Sequence, residues 1–371
     1  AQLRIMDIPV FWVPHLRLPD PTLDRASGFM IPSVRTTSQL GTGIKVPYFF
    51  RLGNHADLTL TPYVSSRTRT IDARYRQAFA TGRIAFEGGY TRDDLMPGNM
   101  RGYIFADGAF DIGRGYTLSF DIEWTSDNAY LLDYGKNYKD RLTSEVSVSR
   151  AKRDQFVRAS DYHFNSPRDG EDESLLPSLV FDSEVEQRVF LPRNAGELRL
   201  GLAAHAHYRT SDINAVGRDV GRISTDIGWR NSWISSMGLR TDLKFGFAAD
   251  IFDTRQDLAF NSHETRTTPY GAVTFRLPMV KAGAGGATQY LEPILQAGWS
   301  RVSGAAVPVD ESGRVEFDQG NLLSLSRFPA PDQREDGWAV AYGLNWARYA
   351  ARGWSASLSL GQILRETAQP G

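Results

Sequence analysis

From Tyr116 to Trp124 the chain alternates without a break: Tyr116, Leu118, Phe120, Ile122 and Trp124 are interleaved with Thr117, Ser119, Asp121 and Glu123. Successive side chains of a β-strand point to opposite faces, so this segment makes a ribbon with one greasy and one wet side. Helical spacing would scatter the same residues around a cylinder. The pattern returns along the chain. Leu58, Leu60 and Val64 alternate with Asp57, Thr59, Thr61 and Tyr63, and Ile84, Phe86 and Tyr90 with Arg83 and Glu87. Leu198 to Tyr208, Leu243 to Ile251 and Trp354 to Leu360 repeat it.

Roughly sixteen or seventeen such segments of about 8–13 residues can be marked. They fall at 29–36, 42–50, 57–66, 69–80, 82–92, 101–112, 115–126, 140–151 and 154–165, and then at 178–190, 195–208, 219–233, 239–252, 267–278, 288–300, 337–349 and 352–364. Transmembrane strands need about 9–11 residues, whereas strands of soluble domains average about 5–6. Length therefore favours an all-β fold, a large antiparallel transmembrane β-barrel, over a soluble sandwich. Connectors alternate in size as well. Short turns such as Gly53-Asn54-His55 and Gly113-Arg114-Gly115 suit one rim, and the polar links 165–177 and 303–331 suit the other.

Composition excludes several classes. With 12% aromatic residues and a net charge of -1, the chain is neither a disordered segment nor a nucleic-acid binder working through bulk charge. No apolar run approaches the ~18 residues of a membrane-spanning helix. The absence of Cys removes thiolate metal sites, a Cys nucleophile and any disulfide within the chain. Only six of the 42 basic residues are Lys. Arg grips carboxylates and phosphates with two prongs where Lys cannot, although genome base composition accounts for the bias equally well.

Residues 1–27 behave differently from 28–371. Ile8-Pro9-Val10-Phe11-Trp12-Val13-Pro14 reads as a short apolar strand and Leu18-Pro19-Asp20-Pro21-Thr22 as a proline-punctuated link. The start, Ala1-Gln2-Leu3-Arg4, lacks an apolar core of a signal peptide, and Ala368-Gln369-Pro370-Gly371 reads as a loop. The expectation is a piece of a longer protein.

The order of landmarks Ile8 to Pro14, Pro19-Asp20-Pro21, Arg25 to Pro32, Val46 to Phe50 and Leu58 to Pro62 resembles the LPS-assembly protein LptD family, also called organic solvent tolerance protein. Tyr290-Leu291-Glu292-Pro293, Phe317 to Phe328 with Glu335-Asp336-Gly337, and Leu360-Gly361-Gln362-Ile363 resemble later landmarks of the same family. The resemblance implies that residues 1–27 end a periplasmic β-jelly roll. Residues 28–371 would then form the first two-thirds of a barrel of about 26 strands. The family's disulfides would lie outside this chain. It further implies a translocon that inserts LPS into the outer leaflet of the Gram-negative outer membrane through a laterally opening barrel. The lipoprotein LptE would be its plug, and the bridge protein LptA would join through the missing jelly roll. No catalysis and no cofactor are implied.

Pro32 and Pro47 fall in the first two barrel strands and match the two prolines with which the family weakens its seam; the alternative is that Pro32 begins a strand and Pro47 sits in a bend. Tyr48, Phe49 and Phe50 read as a girdle at the periplasmic rim, or as packing against the periplasmic domain. Arg83, Glu87, Arg199, His205, His207 and Arg209 read as lumen-facing polar residues, touching phosphorylated sugar or a plug, or simply solvating the lumen. His205-x-His207 has a spacing compatible with a metal. No acidic residue adjoins it, so the lumen reading is preferred and no metal is expected. Asp310, Glu311, Glu316 and Asp318 read as a solvated acidic loop, since they lack the spacing of a calcium loop. Gly283 to Gly286 has no following Lys-Ser/Thr and reads as a turn. The competing functions are a porin or substrate-specific channel, which shares the alternation but needs neither junction nor seam prolines, and an outer-membrane enzyme, for which no nucleophile and base are brought together.

Overall fold

A computed structural model describes residues 2–5, 8–12, 26–136, 139–168, 170–283, 286–313, 315, 317–318 and 320–366. The expected link at Leu18 to Thr22, Glu316 and the final loop lie outside them. The architecture is the all-β, antiparallel barrel class that the alternation predicts. Its long strands fall into two compact units, residues 1–111, 119–144 and 166–169, and residues 112–118, 145–165 and 170–371.

In the first unit β1 (Gln2–Ile5) and β2 (Ile8–Trp12) form a small sheet of their own. The first long strand is split into β3 (Gly28–Phe29) and β4 (Ser33–Thr37), the second into β5 (Gly41–Lys45) and β6 (Tyr48–Arg51). The meander continues through β7 (Ala56–Ser65), β8 (Thr68–Phe79), β9 (Gly82–Asp93) and β10 (Arg101–Gly113). β11 (Tyr116–Thr125) precedes a single helical turn, α1 (Tyr130–Asp133).

The second unit holds β12 (Leu142–Ala151), β13 (Gln155–Asn165), β14 (Leu179–Phe190), β15 (Glu197–Tyr208), β16 (Asp219–Ile234) and β17 (Arg240–Arg255). Then come β18 (His263–Arg276), β19 (Met279–Ala282), β20 (Thr288–Ser300), β21 (Gly337–Tyr349) and β22 (Ser355–Arg365). The segments expected at 29–36, 42–50 and 267–278 are each interrupted. The last begins earlier, at His263, and breaks at Leu277-Pro278, where Leu277 N bonds Pro293 O and β19 resumes the same register on β20. Proline at the break supplies no ladder donor. At the short-turn end, Gly113, Arg114 and Gly115 have φ of 90°, 57° and 80°, a left-handed run that glycine makes cheap.

The two faces are reversed relative to a water-soluble sheet. Ile223, Ile227, Phe245 and Ile251, on the apolar face of β16 and β17, are 51%, 54%, 51% and 55% exposed. On the opposite face Asp250 is 0% exposed, and Arg222, Ser224 and Thr254 are buried. Apolar side chains facing out over strands of this length, with charge held inside, are the arrangement lipid requires.

Candidate functional site

At the start of the first unit the ladder slips. Phe29 pairs with Tyr48, yet Ser33 pairs with Lys45, so the first strand carries one residue more than the second across the break. Pro32 stands immediately before Ser33, and Pro47 immediately before Tyr48. Met30 N donates to Pro47 O at 2.9 Å, the bond that bridges the gap. On its other side the second strand keeps one register with β7, from Gly43 opposite Ser65 to Arg51 opposite Asp57. The irregularity therefore belongs to the first pair alone. Phe29, Ile31 and Val34 are 77%, 90% and 70% exposed. Tyr48 and Phe50 lie on the face of Leu60 and Leu58, 4.5 Å apart between rings, while Phe49 opposite Thr59 takes the other face.

The polar face of the first unit is filled by residues 126–136. Arg101, 2% exposed, is held by Asp93 at 3.0 Å and by Asp127 and Asp133 at 2.8 Å. Tyr134 Oη donates to Asp93 Oδ2 at 2.7 Å, and Tyr130 Oη meets Thr91 Oγ1 at 2.9 Å. Burial pushes the Tyr130 hydroxyl up to about 12. Burial also pulls the Asp127 carboxyl upward, but hydrogen bonds from Arg101 and Ser126 outweigh it and hold it below the usual carboxylate range. Sequence reading missed this network, because two of its acids, Asp127 and Asp133, come after β11 and the third, Asp93, ends β9. Arg83 and Glu87 share this polar face, and Glu87 accepts from Tyr103 Oη at 2.8 Å.

In the second unit the long connector 301–336 folds back over the polar face. Arg334 Nε and Nη2 each reach Asp250 at 2.9 Å, Arg266 donates to Asp332 O at 2.9 Å, and Gln296 Nε2 donates to Leu323 O at 3.0 Å. Arg327 and Arg365 both pair with buried Glu335. Leu322 and Leu325 are admitted by glycines. A Cβ on Gly361 would stand 2.9 Å from Leu322 Cδ2, and one on Gly298 would stand 2.5 Å from Leu325 Cδ2. The expectation of a solvated acidic loop is thus corrected for two of its members. Asp310 is paired with Arg218, and Glu311 with Arg222. Asp318 is exposed and caps its own turn, accepting from Gly320 N at 2.7 Å.

Beneath this loop lies a cavity of about 950 Å³ lined by Arg230, Arg240, Lys244 and Arg276, with Glu197 and Asp242 among them. Glu197, 7% exposed, accepts from Arg188, Arg199 and Arg230 at 2.8–3.0 Å. Arg199 is thereby fixed on the polar face. Arg209 lies just past β15, with its Nε on Leu175 O at 3.2 Å. His205 and His207 are buried on the polar face of β15. Acidic partners absent from their sequence neighbourhood are supplied by Asp182 across the ladder and by Asp310 and Glu311 of the loop.

A family model described as "LPS transport system D" (LptD) matches residues 99–370. Among similar proteins, an LPS-assembly protein LptD of Pseudomonas aeruginosa (strain LESB58) is 24% identical over 98% of this chain and 44% of its own length. One from Idiomarina loihiensis is 22% identical over 93% of this chain and 46% of its own. One from Shewanella sp. (strain MR-4) is 34% identical over 49% of this chain and 25% of its own. The chain spans less than half the length of these relatives. With greasy strands outside, a buried polar face and a family match over most of its length, the chain belongs to the LptD family.

Proposed function

We propose that this chain is barrel wall from an outer-membrane translocon that inserts LPS into the outer leaflet, with residues 1–27 ending its periplasmic domain. The observation that carries the reading is the slipped first strand pair. Where β16 and β17 pair without interruption from Asp219 opposite Arg255 to Ile234 opposite Arg240, the first pair breaks at Pro32 and Pro47. A transporter that releases a lipid sideways needs one seam weaker than the rest of its wall, and a diffusive porin does not. The arginine-lined cavity suits the phosphorylated sugar of such a lipid, since guanidinium groups take phosphate oxygens in pairs. LptE as plug and LptA as periplasmic bridge are the partners this reading carries. Lateral release breaks no covalent bond, so no catalytic group is assigned.

The test is depletion of the full-length protein, followed by labelling of LPS at the cell surface. Wild-type protein restores the label, and Pro32→Ala with Pro47→Ala restores less of it. Unchanged surface LPS on depletion would reject the translocon, and solute flux through the purified protein in liposomes would favour a channel.

A further inference from the structure

Two imidazoles and three carboxylates meet where β14 and β15 face residues 310–311. Asp182 lies opposite His205 in the ladder, and its Oδ1 is 2.7 Å from His205 Nδ1. Glu311 Oε1 is 3.6 Å from the same nitrogen. His205 Nε2 is 3.3 Å from His207 Nδ1, and His207 Nε2 faces Asp310 Oδ2 at 3.6 Å. The two imidazole side chains are 8% and 5% exposed, and His207 Nε2 is buried without a hydrogen-bond partner.

Protons in this row can be counted. It has three junctions: carboxylates to His205, ring to ring, and His207 to carboxylate. Each joins two lone pairs unless a proton or another cation stands between them. Two neutral imidazoles bring one proton each, so one junction is left with lone pairs opposed. That is costly where water is excluded. One junction thus lacks a proton or other positive charge between its lone pairs. No neighbouring arginine stands between the facing lone pairs: Arg222 and Arg218 take Glu311 and Asp310 from outside the row, Arg218 also reaches Asp257, and Arg209 is held by the carbonyls of Leu175 and Arg218.

We propose that the missing charge is a divalent metal ion of the zinc type, bound by Asp182, His205 Nδ1 and Glu311. One ligand atom from each of the three lies within 4.8 Å of the others, so modest side-chain movement brings them to the ~2.0–2.2 Å of a shared zinc. Imidazole with carboxylates is a ligand set that zinc accepts, and water takes the remaining position. A metal on Nδ1 forces the His205 proton onto Nε2, which donates to His207 Nδ1. His207 then carries its proton on Nε2, toward Asp310. All three junctions are filled, and Asp310 with His207 becomes the outer support that orients the ligand ring. Arg222 holds Glu311 mainly through Oε2, with a longer 3.4 Å contact from Nη2 to Oε1, the oxygen that faces His205. The ion ties β14 and β15 to loop 301–336.

The test uses full-length protein purified in detergent, stripped with a chelator and titrated with Zn²⁺ against a chromophoric competitor. One equivalent is expected. His205→Gln should weaken it at least about a hundredfold and Asp182→Asn at least about tenfold, while His207→Ala, which removes only outer support, should cost about 10–100-fold. Co²⁺ should give visible bands that the His205→Gln variant lacks. His263→Gln, at an exposed ring beside Asp253, should change nothing. Circular dichroism checks that each variant keeps its sheet. The half-exposed Asp182 provides a variant that does not open a buried hole. Equal zinc affinity in wild type and Asp182→Asn, or no zinc uptake by wild type, overturns the proposal and leaves a shared extra proton as the charge.

Discussion

Replacing Asp250 with Ala should release loop 301–336 while leaving the wall intact. Asp250 is 0% exposed and takes both prongs of Arg334, whose side chain is 18% exposed. Removing one partner of a buried ion pair costs about 3–5 kcal/mol, because the other charge stays buried and unmatched. Arg334 keeps some water, so the low end applies, about 3 kcal/mol. Arg266, its neighbour on β18, gains an uncompensated like charge. The ladders of β17 with β16 and β18 are backbone bonds and survive, so the loss falls on the loop. At about 1.4 kcal/mol per factor of ten, the opening equilibrium rises about a hundredfold. The reporters are the amides of Asp310, Glu311 and Ser312, which donate to the buried Asp332 carboxylate at 3.0, 2.8 and 3.2 Å. Their hydrogen exchange should accelerate about a hundredfold, while that of Ala248 and Ala249 within β17 stays slow. Acceleration below about threefold would mean that the other anchors hold the loop unaided. Equal acceleration in β17 would mean that loop and wall open together.

Two further outcomes follow from the same physics. The Asp127 carboxyl titrates below its ordinary range when folded, so its contribution is present above that range and is lost as pH falls through it. The Ala129 amide, which donates to Asp127 at 3.2 Å, should therefore keep its exchange protection down to about pH 4 and lose it only as pH falls further, and Asp127→Asn should flatten that dependence. Ile227→Arg on the apolar face should destabilise the protein in lipid vesicles by about 2–4 kcal/mol, whereas Ala203→Arg on the polar face should cost far less; equal costs in urea titrations would mean that the faces are assigned wrongly.

Strand existence and facing were legible because both follow from a period of two, which a few residues suffice to reveal. Arg83, Glu87, Arg199, His205 and His207 could be assigned to one face by parity alone. Where prolines interrupt strands, periodicity says nothing: the runs around Pro32, Pro47 and Pro278 keep their alternation across breaks that the missing amide imposes. The inward folding of 301–336 left no local signal. Its arginines and acids read as solvated because loop charges usually are, and the partners that bury them, Asp250 for Arg334 and Arg218 for Asp310, lie 84 and 92 residues away. The Leu322 and Leu325 contacts were foreshadowed by Gly298, Gly343 and Gly361 on the receiving strands, since glycine within a strand signals a close approach. His205 was read from its sequence neighbours, and its acids come from across the sheet.

If the first strand pair is the seam of the proposed translocon, proline there acts on both sides of an opening equilibrium. When the seam is closed, it removes a ladder bond worth about 0.5–1.5 kcal/mol net. When the seam is open in lipid, every freed amide costs several kcal/mol for want of a partner, and proline has no amide to free. A slipped register adds to the first effect, because Met30 to Pro32 oppose only Val46 and Pro47 and the extra residue has no counterpart. An alanine in either place would strengthen the closed seam and penalise the open one together. The two changes act in the same direction on separation, whereas truncating an apolar side chain such as Val34 would weaken the wall without relieving the cost of exposed backbone. On the translocon reading proposed above, lateral release would accordingly depend more on which amides are missing than on how tightly side chains pack.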